Sequence, residues 1–330
     1  MVGLGTRYGL AYTVNSLRHL DLNLLVALDA LLQEQSITGA GKRLHLSPSA
    51  TSGALARLRE YFEDELLTQI GRRMVPTPLG EILRASVRDC LLHVQATVEL
   101  RPGFDPSTSR RHFVLMMSDY VSTVLMPPAL VALQEHAPGI SIELLSNDER
   151  PWEALERGEI DLLVLPQKFV SREHPSEVLF TDNFVCMCWS GNSLVGEMLT
   201  ADQFFALPHA VARPGRERPP TIDAWFFERF GQARRVEIVA MNFGTLPHLL
   251  VGTNRVATVH RRLAAVYAAI LPLRIIEAPI AMPPVVEAIQ WHRYRDRDPA
   301  RLWLQDLLKS VAASWPVPTP RTVAPQLASA

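Results

Sequence analysis

Near the N-terminus, apolar positions recur three and four apart, a spacing that predicts consecutive amphipathic helices. The first helix would begin at Asp21 and end near Gln35. Its buried face would consist of Leu24, Leu25, Leu28, Leu31 and Leu32. Ser36 offers an N-cap for a short second helix, because its hydroxyl can accept a hydrogen bond from a free backbone N–H. Ser47 followed by Pro48 offers a start for a third helix, since proline needs no donor at the first helical position.

The third predicted helix has one apolar and one polar face. Its inward positions are Thr51, Leu55, Leu58 and Phe62, and its outward positions are Ser49, Ser52, Gly53, Ala56, Arg57 and Arg59. Short polar side chains and two arginines suit a helix that lies in the major groove of DNA, with its N-terminal dipole near a phosphate. An ordinary solvated face is the alternative. If this helix binds DNA, the helix-turn-helix covers about residues 37–56. The predicted DNA-binding residues are then Thr38, Ser47, Pro48, Ser49, Ser52, Arg57 and Arg59.

Two short strands follow at residues 66–70 and 74–76, and together they predict a β-hairpin. Its tip is Gly71-Arg72-Arg73, which places two cations side by side and makes Arg72 and Arg73 candidates for contact with DNA phosphates. A hairpin after three helices predicts a winged helix-turn-helix.

A long helix is predicted from Thr77-Pro78 to about Leu100, where Arg101-Pro102-Gly103 stops it. Its length would be ~33 Å. Alternating steps of four and three, the spacing of a coiled-coil seam, connect Leu83, Val87, Cys90, Val94 and Thr97. Such a seam needs a partner helix, so the pattern predicts a dimer.

Strand-like and helix-like runs alternate from Arg111 onward. The predicted strands are HFVLMM, ISIELL, DLLVLP, FVCMCW, HAVA, RRVEIVA, VATV and VVEAIQW. The predicted helices cover residues 127–136, 152–157, 200–205, 221–230, 261–269 and 299–314. This alternation predicts an α/β region of parallel sheets with helices on both faces.

The composition of the chain limits the kinds of protein that it can be. A chain of 330 residues with 48% hydrophobic positions is long enough for two or three folding units. The net charge of −1 gives no overall attraction to nucleic acid, so DNA binding would depend on a local arrangement of cations. Three cysteines are too few for a disulfide framework, and no His or Cys spacing predicts a metal or cofactor site. No apolar run is long enough for a membrane span and no secretory signal is evident, so a cytoplasmic location is expected.

The segment QSITGAGKRLHLSPSATSGALARL fits the pattern S-x-T-x-A…L-x-x-S-x-x-A-x-S, and Pro-Thr-Pro leads into the long helix. With these motifs the N-terminal region resembles the DNA-binding domain of the LysR family of bacterial transcription regulators. The segments DLNLLVALDALL and RLREYF resemble nodulation regulators of the NodD type and regulators of aromatic degradation related to NahR. The chain departs from the usual pattern at Pro48-Ser49, where Gln-Pro is common, and at Gly41, where alanine is common.

The resemblance implies an α/β chain with a winged helix-turn-helix, a long linker helix and a two-lobed effector domain like a periplasmic binding protein. The corresponding ranges are 1–19 for a disordered extension, of which residues 1–18 should be dispensable, 20–77 for DNA binding, 78–100 for the linker, 110–315 for the effector domain and 316–330 for a disordered tail. Lobe one would comprise 110–182 and 287–315, and lobe two 183–286, with crossovers near 182–185 and 284–287. The implied partners are double-stranded promoter DNA, RNA polymerase, a small aromatic effector such as a flavonoid or aromatic acid, and further copies of the chain in a homodimer or homotetramer.

In such a fold, ligands bind beyond the carboxyl ends of the strands. The expected effector residues are Ser118, Asp119, Tyr120, Ser122, Pro166 and Gln167 in lobe one, and Arg213, Asn242, Phe243 and Thr245 in lobe two. Tyr120 and Phe243 would supply flat apolar surface, and Ser118, Arg213 and Asn242 would bind a phenol or carboxylate. Each could instead be a structural cap or a core aromatic residue.

Two other functions compete with an effector-gated activator. An enzyme is disfavoured because the sequence contains no Gly-x-Ser-x-Gly, His-Glu-x-x-His, Walker or Gly-x-Gly-x-x-Gly motif. A ligand-independent DNA-binding repressor differs from the first choice because its DNA contacts and thermal stability would not change with a small molecule.

Overall fold

The computed structural model of the chain describes residues 21–71, 73–99, 103–147, 150–213, 229, 231 and 233–315. The predicted N-terminal extension, the C-terminal tail and nearly all of the predicted helix at 221–230 lie outside these residues. The chain forms two units, residues 1–100 and 101–330.

The first unit contains four helices and one hairpin within its described part. They are α1 (Leu22–Glu34), α2 (Ile37–Leu44), α3 (Pro48–Phe62), β1 (Leu67–Ile70), β2 (Arg73–Pro76) and α4 (Pro78–Glu99). The helices begin where the sequence predicts: Ser36 Oγ accepts the Gly39 N–H at 3.1 Å, and Ser47 Oγ accepts the Ala50 N–H at 3.2 Å. Strands β1 and β2 are antiparallel, so the hairpin is present.

Leucines from all parts of the first unit form its core. The fully buried ones include Leu28, Leu31, Leu32, Leu58, Leu66 and Leu67. Helix α4 begins against this core, where a Cβ on Gly80 would lie 2.4 Å from the carbonyl oxygen of Leu66. Only glycine allows this approach, so the wing and the linker helix meet at Gly80.

The prediction that the whole apolar seam of α4 needs a partner chain is wrong in its first half. Leu83 and Val87 pack against the core of their own unit, and Val87 is only 5% exposed, because α1 already covers this side of α4. Farther along, Val94 is 42% exposed and Val98 is 64% exposed. Apolar surface is therefore left open on α4 at Val94 and Val98 near its C-terminal end, and at Ile82, 67% exposed, near its start.

The second unit is built on two five-stranded sheets, one in each lobe. The lobe-one sheet has the order β4-β3-β5-β12-β6, and the lobe-two sheet has the order β11-β7-β10-β8-β9. Their strands are β3 (His112–Met117), β4 (Ser141–Ser146), β5 (Leu162–Pro166), β6 (Ser176–Asp182), β7 (Phe184–Trp189), β8 (Pro208–Ala212), β9 (Arg235–Ala240), β10 (Val256–His260), β11 (Leu273–Ile276) and β12 (Val285–Gln290). The described helices are α5 (Asp119–His136), α6 (Pro151–Glu156), α7 (Ala201–Ala206), α8 (Leu246–Leu250), α9 (Arg261–Ala268) and α10 (Pro299–Ser314). Asn183 alone separates β6 from β7, so it is the first crossover between the lobes.

The prediction of purely parallel sheets is wrong, because each sheet is mixed. Strand β12 runs antiparallel to β5 and β6, and β7 runs antiparallel to β10 and β11. The antiparallel strands are the two that follow a crossover between the lobes. Because β7 and β12 each enter their sheet directly from the other lobe, no helix precedes them to bring the chain back into the parallel direction. Strands β6 and β11 were not predicted.

The first helix of the effector domain begins earlier than predicted. Helix α5 begins at Asp119 rather than Pro127, because Ser118 Oγ accepts the Val121 N–H at 3.2 Å and caps it. Pro127 and Pro128 lie inside the helix on its exposed face. The turns that precede the prolines are buried in the lobe-one core. This burial offsets the stability lost because Pro127 and Pro128 cannot donate two backbone hydrogen bonds.

No helix among the described residues is both long and apolar enough to cross a membrane. All three cysteines are free; Cys186 and Cys188 are buried on one strand, and Cys90 is exposed.

Candidate functional sites

Most of the predicted DNA-reading residues on and beside α2 and α3 are exposed. They are Thr38, Ser47, Pro48, Ser49, Ser52 and Arg57. The Ser47 and Ser49 hydroxyls lie 3.0 Å apart, and Ser47 also caps the helix. Arg57 keeps 61% of its side chain exposed while its guanidinium lies 3.7 Å from Asp21. These residues offer hydroxyl groups at the start of α3 and one arginine farther along it, a chemistry that suits phosphate and base edges.

Arg59 is placed differently from its neighbours on α3. Its guanidinium donates to the carbonyl oxygens of Glu65 at 3.0 Å and Leu67 at 2.8 Å, and it forms an ion pair with the Glu65 carboxylate. These contacts attach the first wing strand to α3. Arg59 therefore positions the hairpin in this structure.

The base of the hairpin is fixed by Asp64, and its tip is open. The Asp64 carboxylate accepts the Thr77 hydroxyl at 2.6 Å and the Leu66 N–H at 2.7 Å, and these bonds lower the pKa of Asp64. At the tip, Arg73 is exposed. Arg72, the other predicted phosphate contact, lies outside the described residues.

The second candidate site lies where the two lobes meet, at the N-terminus of α5. Asp119 of lobe one accepts the backbone N–H of Gly244 of lobe two at 2.6 Å. The Tyr120 ring stacks on His260 with ring centres 3.8 Å apart and an interplanar angle of 10°. Phe243 meets both rings edge-on, 6.3 Å from Tyr120 and 5.0 Å from His260. The structure therefore brings Asp119, Tyr120 and Phe243 together, as the sequence predicts.

Tyr120 has a structural role that the sequence did not indicate. It is only 1% exposed, and its hydroxyl donates to Asp182 Oδ2 at 2.7 Å. Burial, together with the negative charge of Asp182, raises the pKa of Tyr120 and keeps the phenol neutral. Asp182 also accepts the N–H groups of Asn183 at 2.8 Å and Arg262 at 3.1 Å. Tyr120 thus supports the crossover between the lobes, and the aromatic surface beside it belongs to the half-buried Phe243.

The other predicted effector residues make fewer contacts with the Tyr120 and Phe243 rings at the junction between the lobes. Ser118 and Ser122 are half-buried in the first turn of α5, near Asp119. Asn242 accepts two hydrogen bonds from Thr245, so these residues close a turn between β9 and α8. Pro166 ends β5, Gln167 is exposed just after it, and Arg213 follows β8 immediately before residues that the structure does not describe. No described contact joins Gln167 to the Tyr120 ring stack.

Two buried residues at this junction, His260 and Glu287, were not predicted. Burial lowers the pKa of His260 to about 3, so its imidazole is neutral, and raises the pKa of Glu287 to about 8. Glu287 Oε2 has no hydrogen-bond partner among the described atoms. His260 could have been found from the sequence, because it ends β10 and the rule about strand ends applies to it. In the described part of the chain, no group of three His, Cys, Asp or Glu side chains is placed to hold a metal ion.

A winged helix-turn-helix followed by a two-lobed α/β domain defines a regulator that combines a DNA-binding unit with a ligand-binding unit. The family models agree with both: residues 22–81 match the bacterial regulatory helix-turn-helix protein of the lysR family, and residues 106–313 match the LysR substrate binding domain. The chain therefore belongs to the LysR family of transcriptional regulators, and it is not an enzyme.

The relatives extend over nearly the whole chain. Nodulation protein D 3 of Rhizobium leguminosarum bv. phaseoli is 43% identical over 90% of this chain and 98% of its own length. Nodulation protein D 1 of Bradyrhizobium elkanii is 40% identical over 89% of this chain and 94% of its own. Among solved structures, a probable transcriptional regulator of Pseudomonas aeruginosa is 32% identical, has a TM-score of 0.60 and covers 90% of this chain and 98% of its own. A full-length OxyR variant of the same organism, 18% identical with a TM-score of 0.68 over 89% of this chain and 97% of its own, shares the fold.

Proposed function

We propose that the chain is a transcription activator whose response is gated by a small aromatic effector bound between the lobes of its second unit. The observation that carries this proposal is the junction at α5, where half-buried Phe243 of lobe two meets the Tyr120 ring and its neighbour Gly244 donates to the Asp119 carboxylate of lobe one. An aromatic ring could stack against Phe243 while a phenol or carboxylate bonds to polar groups at the helix N-terminus. The similarity to nodulation protein D supports an activator.

An effector at this junction would act through the contacts that connect the lobes. The hydrogen bond from Gly244 to Asp119 joins the lobes in this structure, and a movement that separated the two residues would break it. A ligand that binds one arrangement more tightly than another shifts their populations, and only that difference in affinity drives the change. Effector binding would therefore change the angle between the lobes and, in the oligomer, the spacing of the DNA-binding units.

The DNA-binding unit would use the exposed surface of α3 to read bases and the tip of the hairpin to contact phosphates. We propose that two copies associate through the exposed apolar end of α4, around Val94 and Val98, and that effector domains pair such dimers into tetramers. Symmetric half-sites in the promoter would follow. Activation would then operate through RNA polymerase in the bacterial cytoplasm, where the promoter is.

A binding experiment tests the effector site. The full chain is titrated with a panel of hydroxylated flavones and hydroxybenzoates, and its melting temperature is recorded by tryptophan fluorescence. We expect one class of aromatic compound to raise the melting temperature of the wild-type protein. In Phe243→Ala the concentration needed should rise about tenfold or more, because the stacking surface is lost.

The matched control is Phe205→Ala, which removes a partly buried phenylalanine of α7 that packs on another core cluster. It should retain the wild-type dose response. An unchanged dose response in Phe243→Ala would place the effector elsewhere, and no response to any compound would favour a repressor that has no ligand.

A further inference from the structure

A hydrogen-bonded chain of side chains joins the linker helix to the DNA-binding helices within the first unit. Asp29 on α1 accepts Arg88 Nη1 of α4 at 2.8 Å through one oxygen and Gln33 Nε2 at 2.8 Å through the other. Gln33 in turn accepts Arg43 Nη1 of α2 at 2.5 Å. The Asp29 carboxylate thus joins α1 to α4, and Gln33 extends the connection to α2. The Asp29–Arg88 pair is largely shielded from water, since the Asp29 side chain is 8% exposed and that of Arg88 is 19% exposed.

Apolar contacts also join α4 to the core of the first unit. Leu83, Val87 and Leu91 of α4 pack on the leucine core, and such contacts favour burial without imposing a direction. A buried ion pair behaves differently: it contributes little net stability but is satisfied at only one register and angle of the two helices. The Asp29–Arg88 pair therefore limits the rotation and sliding that the apolar contacts would tolerate.

We propose that Asp29 is a positioning residue that sets the angle between the DNA-binding helices and the linker helix, and thereby the half-site spacing that the dimer recognises. The proposal rests on the proposed dimer through α4. When two α4 helices associate, a change in the angle at which each helix meets α1 moves both reading surfaces relative to each other. One half-site would bind as before, but two half-sites at the original spacing would no longer be engaged together.

The test uses the full-length protein and DNA selected from a random pool by the wild-type protein. Affinity is measured for one half-site, for the full site, and for full sites with one or two base pairs inserted or removed at the centre. Asp29→Asn keeps the size of the side chain and an acceptor for Gln33 but removes the charge that faces Arg88. Arg88→Met breaks the same pair from the other helix.

We expect both variants to bind the single half-site within about twofold of wild type and to lose about tenfold or more at the full site, because linked binding depends on geometry. Their spacing preference should broaden, and the double variant should be no worse than either single one. The control is Glu81→Gln, which removes a carboxylate paired at 3.2 Å with Arg84 on the same helix, so that no second helix is involved. It should behave as wild type.

Equal losses at the half-site and the full site in both variants would show that the pair serves only stability, and wild-type affinity with unchanged spacing preference would show that it positions nothing. Either result overturns the proposal. Light scattering separates this failure from failure of the dimer itself: a monomeric wild-type protein refutes the dimer, whereas dimeric variants with unchanged spacing refute only the role of Asp29.

Discussion

The buried carboxyl group at the lobe junction predicts a measurable pH dependence of stability. Glu287 is 3% exposed, and burial raises its pKa from 4.5 to about 8, with a smaller contribution from the charge of Asp182. Between these two values the folded protein holds a proton that the unfolded chain releases. The free energy of unfolding therefore falls as pH rises through this window, by about 1.4 kcal/mol per pH unit while the folded form stays protonated.

The size of the effect can be calculated for an accessible range. From pH 6 to pH 8 this single group should lower the free energy of unfolding by roughly 2 kcal/mol, because the slope levels off near the folded pKa. His260 contributes with the opposite sign: its pKa is lowered to about 3, so stability is lost as pH falls below the unfolded value of 6.5. Comparison with Glu287→Gln, which mimics the protonated acid, isolates the carboxyl contribution.

The assay is urea unfolding of the full chain, followed by tryptophan fluorescence. All six tryptophans lie beyond residue 150, so the signal reports on the effector domain. We expect the difference between Glu287→Gln and wild type to grow by roughly 2 kcal/mol from pH 6 to pH 8. The exposed Glu156→Gln should show no such growth. Parallel curves for Glu287→Gln and wild type would refute the reasoning.

Five further variants, in two pairs and one single change, test other contacts. Val94→Asp should dissociate the dimer, as measured by light scattering, and leave the fold intact. Val87→Asp should unfold the first unit, as measured by circular dichroism, because that side chain is buried in the core of its own unit. The reverse pattern would contradict the assignment of the α4 face. Arg57→Ala should relax base preference, whereas Arg73→Ala should weaken binding to all DNA and reduce the salt slope by about one, and equal losses on specific and random DNA would contradict these roles. Tyr120→Phe should destabilise the effector domain by about 1.5–3 kcal/mol in urea, because a buried hydrogen bond to a carboxylate is lost, and an unchanged midpoint would exclude that bond.

Local signals predicted the first unit well. Ser36 and Ser47 cap their helices through bonds to residues three positions away, so a short stretch of sequence contains both partners. The hairpin is defined in the same way by strands that are adjacent in the chain. The partner of the α4 seam was not predicted, because apolar periodicity indicates a buried face but not whether the covering helix belongs to the same chain.

The junction between the lobes was predicted only in part, because a sequence pattern does not show which distant residues contact each other. The rule about strand ends selected Asp119 and Tyr120, and both lie at the junction. Their functions depend on residues distant in sequence: Asp119 bonds to a backbone amide 125 positions away and Tyr120 to a carboxylate 62 positions away. Strand β6 was missed because the charged residues Glu177 and Asp182 lie near its two ends, and the start of α5 was missed because two prolines suggested a later start.

The most direct test of the central claim is a DNase footprint of the full chain on the promoter region of its own gene, with and without the aromatic compound found in the titration. We expect protection of two half-sites in both states, with a changed pattern of enhanced cleavage between them when the compound is present, because an altered lobe angle respaces the DNA-binding units. Phe243→Ala should give the ligand-free footprint at compound concentrations that change the wild-type pattern. A footprint that is identical with and without every compound, in wild type and variant alike, would contradict an effector-gated regulator.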